Sequence, residues 1–276
     1  MSKLSKITHA LVVAGVFTLS ACSKQPQTQQ AEVQPEAPQS TVAAVELVNI
    51  EPSRLDIYTD FELNTDLSHL SGNQKKMLAK LIDASKIMDD LFWQQAFSGD
   101  KAQFLASLND AQVKQFADIN YGPWDRLNGD QAFLSGFEAK SAGAQFYPAD
   151  MSKEELEASD VKDKTGLYSI IKRDQQGKLY SVPYATEYAE ELQQAAQLLR
   201  EASELADDKE FANYLSMRAD ALLSDDYQAS DFAWMDMKNN PIDVVIGPIE
   251  TYEDQLFGYR AAFESYVLVK DMAWSE

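Results

Sequence analysis

Ile246-Gly-Pro-Ile-Glu-Thr-Tyr-Glu-Asp254, with Gly258-Tyr-Arg260 and Phe263-Glu-Ser-Tyr-Val267 after it, sets an acidic and phenolic cluster between two apolar runs. Ile242 to Ile246 reads as a short buried strand from its β-branched content, although an apolar run this brief is ambiguous by periodicity alone. Phe263 to Lys270 alternates well enough to form another strand. Glu250, Thr251, Tyr252, Glu253 and Asp254 are therefore expected on the surface, where the chain leaves the first strand.

Upstream of this stretch, helical spacing dominates. Met77, Leu78, Leu81, Ile82, Ile87, Met88, Leu91 and Phe92 recur on one face between Asn73 and Phe97, with Lys75, Lys76, Lys80, Asp83, Lys86 and Asp90 opposite. A second helix is expected from about Asp100 to Phe116, ended by the turn that Gly122-Pro123 forces. Aromatics beside such a turn, here Tyr121 and Trp124 with Asp125, either face a ligand or plug the edge of a core; the second reading is favoured. Ser152-Lys-Glu-Glu155 has the spacing of a capping box. Leu167 to Arg173 and Leu179 to Tyr184, joined by Asp174-Gln-Gln-Gly-Lys178, read as a hairpin with Pro183 at its edge. Ala185 to Ala206 is the longest helical pattern, and Phe211 to Leu223 pairs with it after the Asp207-Asp208 break. The fold class is α+β, mostly helical with a few short strands. There is no internal repeat and no nucleotide-binding glycine motif.

At 276 residues the chain suits one large domain or two small ones. Its 44 acids against 24 bases give a net charge of −20, which argues against a nucleic-acid partner, because phosphate binding needs a Lys/Arg footprint. The acid excess reads mainly as a solvated surface.

The first residues carry their own signal. Lys3 and Lys6 form a positive n-region, Ala10 to Leu19 a short apolar run, and Leu19-Ser-Ala-Cys22 a lipobox whose thiol accepts diacylglycerol. The run is too short to span a bilayer, which needs about 20 residues. Residues 1–22 are thus expected to be a lipoprotein signal peptide, with Cys22 the lipidation site. Ser23 after the cysteine points to the outer membrane of a bacterial envelope, facing the periplasm. Residues 23–43, rich in Gln, Pro, Ser, Thr and Glu, read as a disordered tether. Residues 44–276 read as the folded part.

Chemistry is sparse. His69 is the one histidine beyond the signal, and Cys22 is the one thiol, so neither a His-Glu-x-x-His zinc motif nor a serine triad can be assembled. His69, in Asp66-Leu-Ser-His-Leu-Ser71 ahead of a helix, suits a capping or surface role. The pairs Asp89-Asp90, Glu190-Glu191, Asp207-Asp208 and Asp225-Asp226 are what helix surfaces of so acidic a chain carry.

The opening stretch resembles the signature of the dipeptidyl peptidase III family, zinc peptidases of family M49, and its bacterial branch in particular. In that family the segment reads Gly-x-Ile-Glu-(Ser/Thr)-Tyr-x-Asp, a glycine, then Phe-Glu-x-(Phe/Tyr)-Val. Gly247, Ile249, Glu250, Thr251, Tyr252, Asp254, Gly258, Phe263, Glu264, Tyr266 and Val267 meet it. Tyr121-Gly-Pro-Trp-Asp-Arg-Leu-Asn128, Phe146-Tyr-Pro-Ala-Asp-Met151, Asp226-Tyr227 and Ser230-Asp231 are similar as well, so the likeness runs from about Asp56 onward.

The resemblance implies a two-lobed fold, of which this chain is the N-terminal half, with a β-barrel-like core in the lower lobe. It implies a substrate-binding role for Glu250, holding the free α-ammonium of a peptide. It implies a catalytic role for Tyr252, donating a hydrogen bond toward the scissile carbonyl. The zinc ligands of the family have no counterpart here, so no metal-ligating residue is expected in this chain, and its end after Ala273-Trp-Ser-Glu276 is expected to reflect a truncated reading frame or gene model. Three functions follow: a fragment of an envelope-anchored zinc dipeptidyl peptidase, a non-catalytic lipoprotein binding peptides or partners, or half of a split enzyme completed by a separate zinc-binding half.

Overall fold

The computed structural model describes residues 45–274; the lipobox at Cys22 and the tether lie outside the described residues. The elements follow one another as α1 (Gly72–Ala96), α2 (Lys101–Ser107), α3 (Ala111–Ile119), β1 (Trp124–Asp125), β2 (Gln131–Ala132), α4 (Lys153–Ala158), β3 (Ser169–Arg173), β4 (Leu179–Pro183), α5 (Tyr184–Glu187), α6 (Ala189–Leu205), α7 (Lys209–Leu222), α8 (Gln228–Asp236), β5 (Ile242–Glu250) and β6 (Ala262–Val269). The class is α+β and mostly helical, as expected. Among the described residues the strands form antiparallel pairs, β1 with β2, β3 with β4 and β5 with β6. None of them closes the barrel-like core that the resemblance implied.

The α1 helix starts where Ser71 Oγ accepts the Gln74 N–H at 3.1 Å and the Gln74 side chain accepts the Ser71 N–H at 2.8 Å, a reciprocal cap for two otherwise unpaired donors. Met77, Leu81, Ala84, Met88 and Leu91 then bury one stripe, which packs on α6 and β6. Each such leucine contributes about 1.5–3 kcal/mol by leaving water. On the α6 side the stripe is Leu192, Ala195, Ala196, Leu199 and Ala202, and α7 completes the helical hairpin expected of this region. A second cluster gathers Trp93, Phe97, Phe104, Phe116, Trp124 and Phe133 around the end of α1.

The structure departs from the expected reading in four places. The helix expected from Asp100 to Phe116 is two, because the Asp110 carboxylate accepts the N–H groups of Gln112 and Val113 and so caps a new start. The helix from Ala185 is interrupted at Tyr188, which lets the rings of Tyr184 and Tyr188 both pack on Phe263, with centroids 5.3 and 5.6 Å away. At Ser152 the Oγ accepts the Glu155 N–H, and the Glu155 carboxylate mainly takes the two terminal guanidinium nitrogens of Arg173 on β3, at 2.6 and 3.0 Å. Finally, α8 lacks the buried apolar stripe that would announce it; Phe232 and Met235 are exposed. The hairpin β3–β4 forms as read, with Asp174 accepting from Gln176 and Lys178 and Gly177 at φ 83°.

Asp225, just beyond α7, has a left-handed φ of 58°, and its carboxylate oxygens accept the Ala185 N–H at 3.2 and 2.9 Å where α5 begins. Burial pushes this carboxyl up to about 6, the Ala185 bond opposing it and Asp163 adding repulsion. A carboxyl raised above its ordinary 3.8 binds more protons folded than unfolded. Its contribution to stability therefore grows as pH falls from about 7 toward about 4. Asp225→Asn keeps an acceptor for Ala185 but cannot titrate, so urea unfolding should show the parent gaining on the variant across that window. A stability difference that does not change with pH would refute this.

Candidate functional site

The β5–β6 pair carries the candidate residues Glu250 and Tyr252 at its end. Ile242, Val244 and Ile246 face the core, and β5 runs in register with β6 from Ile242↔Val269 to Pro248↔Phe263. A bulge between Pro248 and Glu250 then turns the chain outward, re-aiming the residues that follow. Gly247 has φ 129°, and a Cβ there would stand 3.3 Å from the Tyr227 ring. Both facts call for glycine where the signature begins.

Beyond the bulge the acidic and phenolic residues divide. Glu250 is exposed and Tyr252 is 81% exposed, and among the described residues neither side chain makes a hydrogen bond or ion pair. Glu253 and Asp254 turn inward, 5% and 2% exposed. The Glu253 carboxylate receives Arg126 at 2.6 and 3.2 Å and Lys140 at 2.6 Å. Asp254 accepts the Tyr147 hydroxyl at 2.7 Å and the backbone N–H groups of Leu256, Phe257, Tyr259 and Arg260. Burial, then that bond to Asp254, holds the Tyr147 phenol far above its ordinary value, so it remains a donor. Arg260 is fully buried and donates to the carbonyls of Asp163, Lys164 and Gly166 and to Ser169 Oγ. The loop is thus bolted down by its inward members while Glu250 and Tyr252 face solvent.

A groove of about 320 Å³ borders the same hairpin, lined by Asp89, Phe92 and Tyr121 on one side and Glu264 and Tyr266 on the other. Burial and the nearby Glu250 raise the Glu264 carboxyl, while the bond from Tyr266 at 3.0 Å opposes them. Bonding to Glu264 raises the Tyr266 phenol, and Glu250 adds to it. Glu250 therefore lies close enough to both to bias their titration, and the end of the groove is acidic.

The aromatic cluster beside Gly122-Pro123 is mostly core. Trp124 is buried with its Nε1 donating to the Glu138 carbonyl, and Asp125 is buried and paired with Arg54 at 2.6 Å. Tyr121 is the exception: its hydroxyl donates to Asp89 at 2.7 Å and its ring lines the groove. His69 is exposed in the turn before Ser71. Among the described residues no group of three His, Cys, Asp or Glu side chains is placed to hold a metal ion. The donor set in this segment therefore does not fit the zinc that the resemblance implies, and no chemical step is assigned to it.

The sequence assigns no role to Arg126, Lys140 or Arg260. Each is a lone cation in an aperiodic stretch, and its partner lies far along the chain.

The model of Peptidase family M49 matches residues 149–276, which include the whole β5–β6 hairpin. The solved structure of DPP III from Caldithrix abyssi is 38% identical, with a TM-score of 0.76 over 80% of this chain and 44% of that one. The dipeptidyl-peptidase III of Corallococcus sp. strain EGB is 35% identical with the same TM-score and coverage. Nudix hydrolase 3 of Arabidopsis thaliana is 32% identical over 279 residues, spanning 79% of this chain and 36% of that protein. The chain thus covers less than half the length of these relatives, and its fold matches part of theirs. By the M49 match and these structural likenesses, the chain belongs to the dipeptidyl peptidase III family of peptidases, family M49.

Proposed function

We propose that this chain forms the substrate-side wall of a dipeptidyl peptidase acting on the free N-termini of short peptides. The observation that carries the reading is the division of the signature loop, in which Glu253 and Asp254 anchor it and Glu250 and Tyr252 are left facing solvent. A carboxylate in that position pairs with an α-ammonium, and a phenol beside it donates to a carbonyl oxygen without being ionised near neutral pH. The zinc of such an enzyme would come from residues outside this segment, in a continuation of the chain or in a separate zinc-binding half. The n-region, apolar run and lipobox support an anchor through lipidated Cys22 at the bacterial envelope, with the enzyme facing the periplasm.

Calorimetry on the whole chain tests the binding role. Tetra-alanine should bind more tightly than its N-acetylated form, and Glu250→Gln should remove the difference, since a hydrogen bond to a charged group is worth about 1.5–3 kcal/mol. Equal affinity for the two peptides would end the ammonium reading. The anchor is checked by palmitate labelling in a bacterial host, which Cys22→Ser should abolish and which would otherwise have another origin.

A further inference from the structure

We infer that Arg126 and Lys140 are positioning residues for Tyr252, acting through the buried carboxylate of Glu253; the inference rests on the peptide-binding reading of this loop. Three consecutive residues follow Tyr252 into separate anchors. Glu253 goes to Arg126 and Lys140, Asp254 to Tyr147, and the Gln255 amide donates to Asp130 at 2.8 Å. Lys140 in turn stands 4.0 Å from Asp130, so the segment from Arg126 to Lys140, itself tied together, grips the loop at two residues, Glu253 and Gln255.

Arg126 has its plane fixed on every side. Its Nε donates to the Asn120 carbonyl at 2.7 Å, its terminal nitrogens to Glu253, and it lies 5.3 Å from the Phe92 ring and 5.7 Å from that of Tyr121. Phe92 and Tyr121 line the groove beside Glu264. One guanidinium thus joins the groove wall to the residue next to Tyr252.

The cost of burying these charges favours positioning over simple cohesion. Lys140 and Glu253 have side chains 3% and 4% exposed, and ion pairs taken out of water often hold a fold no better than apolar residues of the same size. Apolar contacts, however, are non-directional. A carboxylate caught between a planar fork and an ammonium has one orientation, and it transmits that orientation to its neighbour in the chain.

The test places 3-fluorotyrosine at position 252 of the full chain and reads its ¹⁹F line together with Tm and tetra-alanine affinity. In Lys140→Met Glu253 keeps its Arg126 pair, and in Lys140→Met with Glu253→Leu the buried ammonium and carboxylate go together while the quarter-exposed Arg126 keeps its bond to the Asn120 carbonyl, so Tm should fall by about 3–6 °C in each, short of unfolding. The single line should broaden or split, affinity should fall roughly tenfold, and Lys140→Arg should restore one line. An unshifted single line in both variants, or a line that moves only as the protein unfolds, overturns the inference, and the double variant decides if the single one fails to fold. If Glu250→Gln leaves tetra-alanine affinity unchanged, the binding reading falls by itself, and the ¹⁹F line alone judges the positioning.

Discussion

Arg260→Met should lower Tm by about 10 °C, the largest loss expected from any single side chain of the signature region. The fully buried guanidinium serves the carbonyls of Asp163, Lys164 and Gly166 and the Ser169 hydroxyl, acceptors some ninety residues away in sequence. Methionine fills much of the volume but offers no donor, so these acceptors lose their partners in a place that water reaches poorly. Leaving a buried acceptor without its donor costs about 1–3 kcal/mol, so losing the donors of several at once should cost about 3–5 kcal/mol in total. In a chain of this size each kcal/mol moves Tm by about 2–4 °C. Arg173→Met is the control, since its pair with Glu155 is partly exposed, 23% and 39%, and should be worth no more than about 1 kcal/mol. Calorimetric scans showing equal losses for the two would mean that the 163–169 turn finds other donors and that Arg260 does not hold it.

The same contrast explains what could be read from the sequence. Local grammar was legible: the apolar spacing from Met77 to Phe92 marked α1, Asp174-Gln-Gln-Gly-Lys178 turned the β3–β4 hairpin, and the β-branched run from Ile242 became β5. These features are written within a few residues, where spacing and backbone preference decide. The break at Asp110 was misread because apolar spacing on both sides continues through it, while the carboxylate that ends one helix and starts another acts through two backbone donors.

The interior of the site was not legible for a different reason. Glu250, Tyr252, Glu253 and Asp254 stand in one short cluster, and a loop after a bulge has no period to say which of them face water. Their sorting is fixed by Arg126, Lys140 and Tyr147, more than a hundred residues earlier. Charge complementarity at that separation leaves no trace in local pattern. The resemblance named Glu250 and Tyr252, and only the fold shows what holds them there.

Tyr252→Phe should leave stability unchanged and remove most of the turnover. The side chain is 81% exposed, and among the described residues its hydroxyl makes no hydrogen bond, so deleting one oxygen should stay within about 0.5 kcal/mol. If the phenol donates to the carbonyl oxygen as it gains charge, that bond strengthens in the transition state and its loss appears in kcat. Removing such a donor costs about 2.7–4 kcal/mol, or about a hundred- to a thousandfold, with little change in KM. The assay uses this chain joined to a zinc-binding half and a dipeptidyl naphthylamide substrate, with thermal unfolding measured in parallel. A raised KM at unchanged kcat would make Tyr252 a binding residue that does not distinguish substrate from transition state. Unchanged kcat and KM would take it out of the chemistry and leave it an exposed tyrosine on a well-anchored loop.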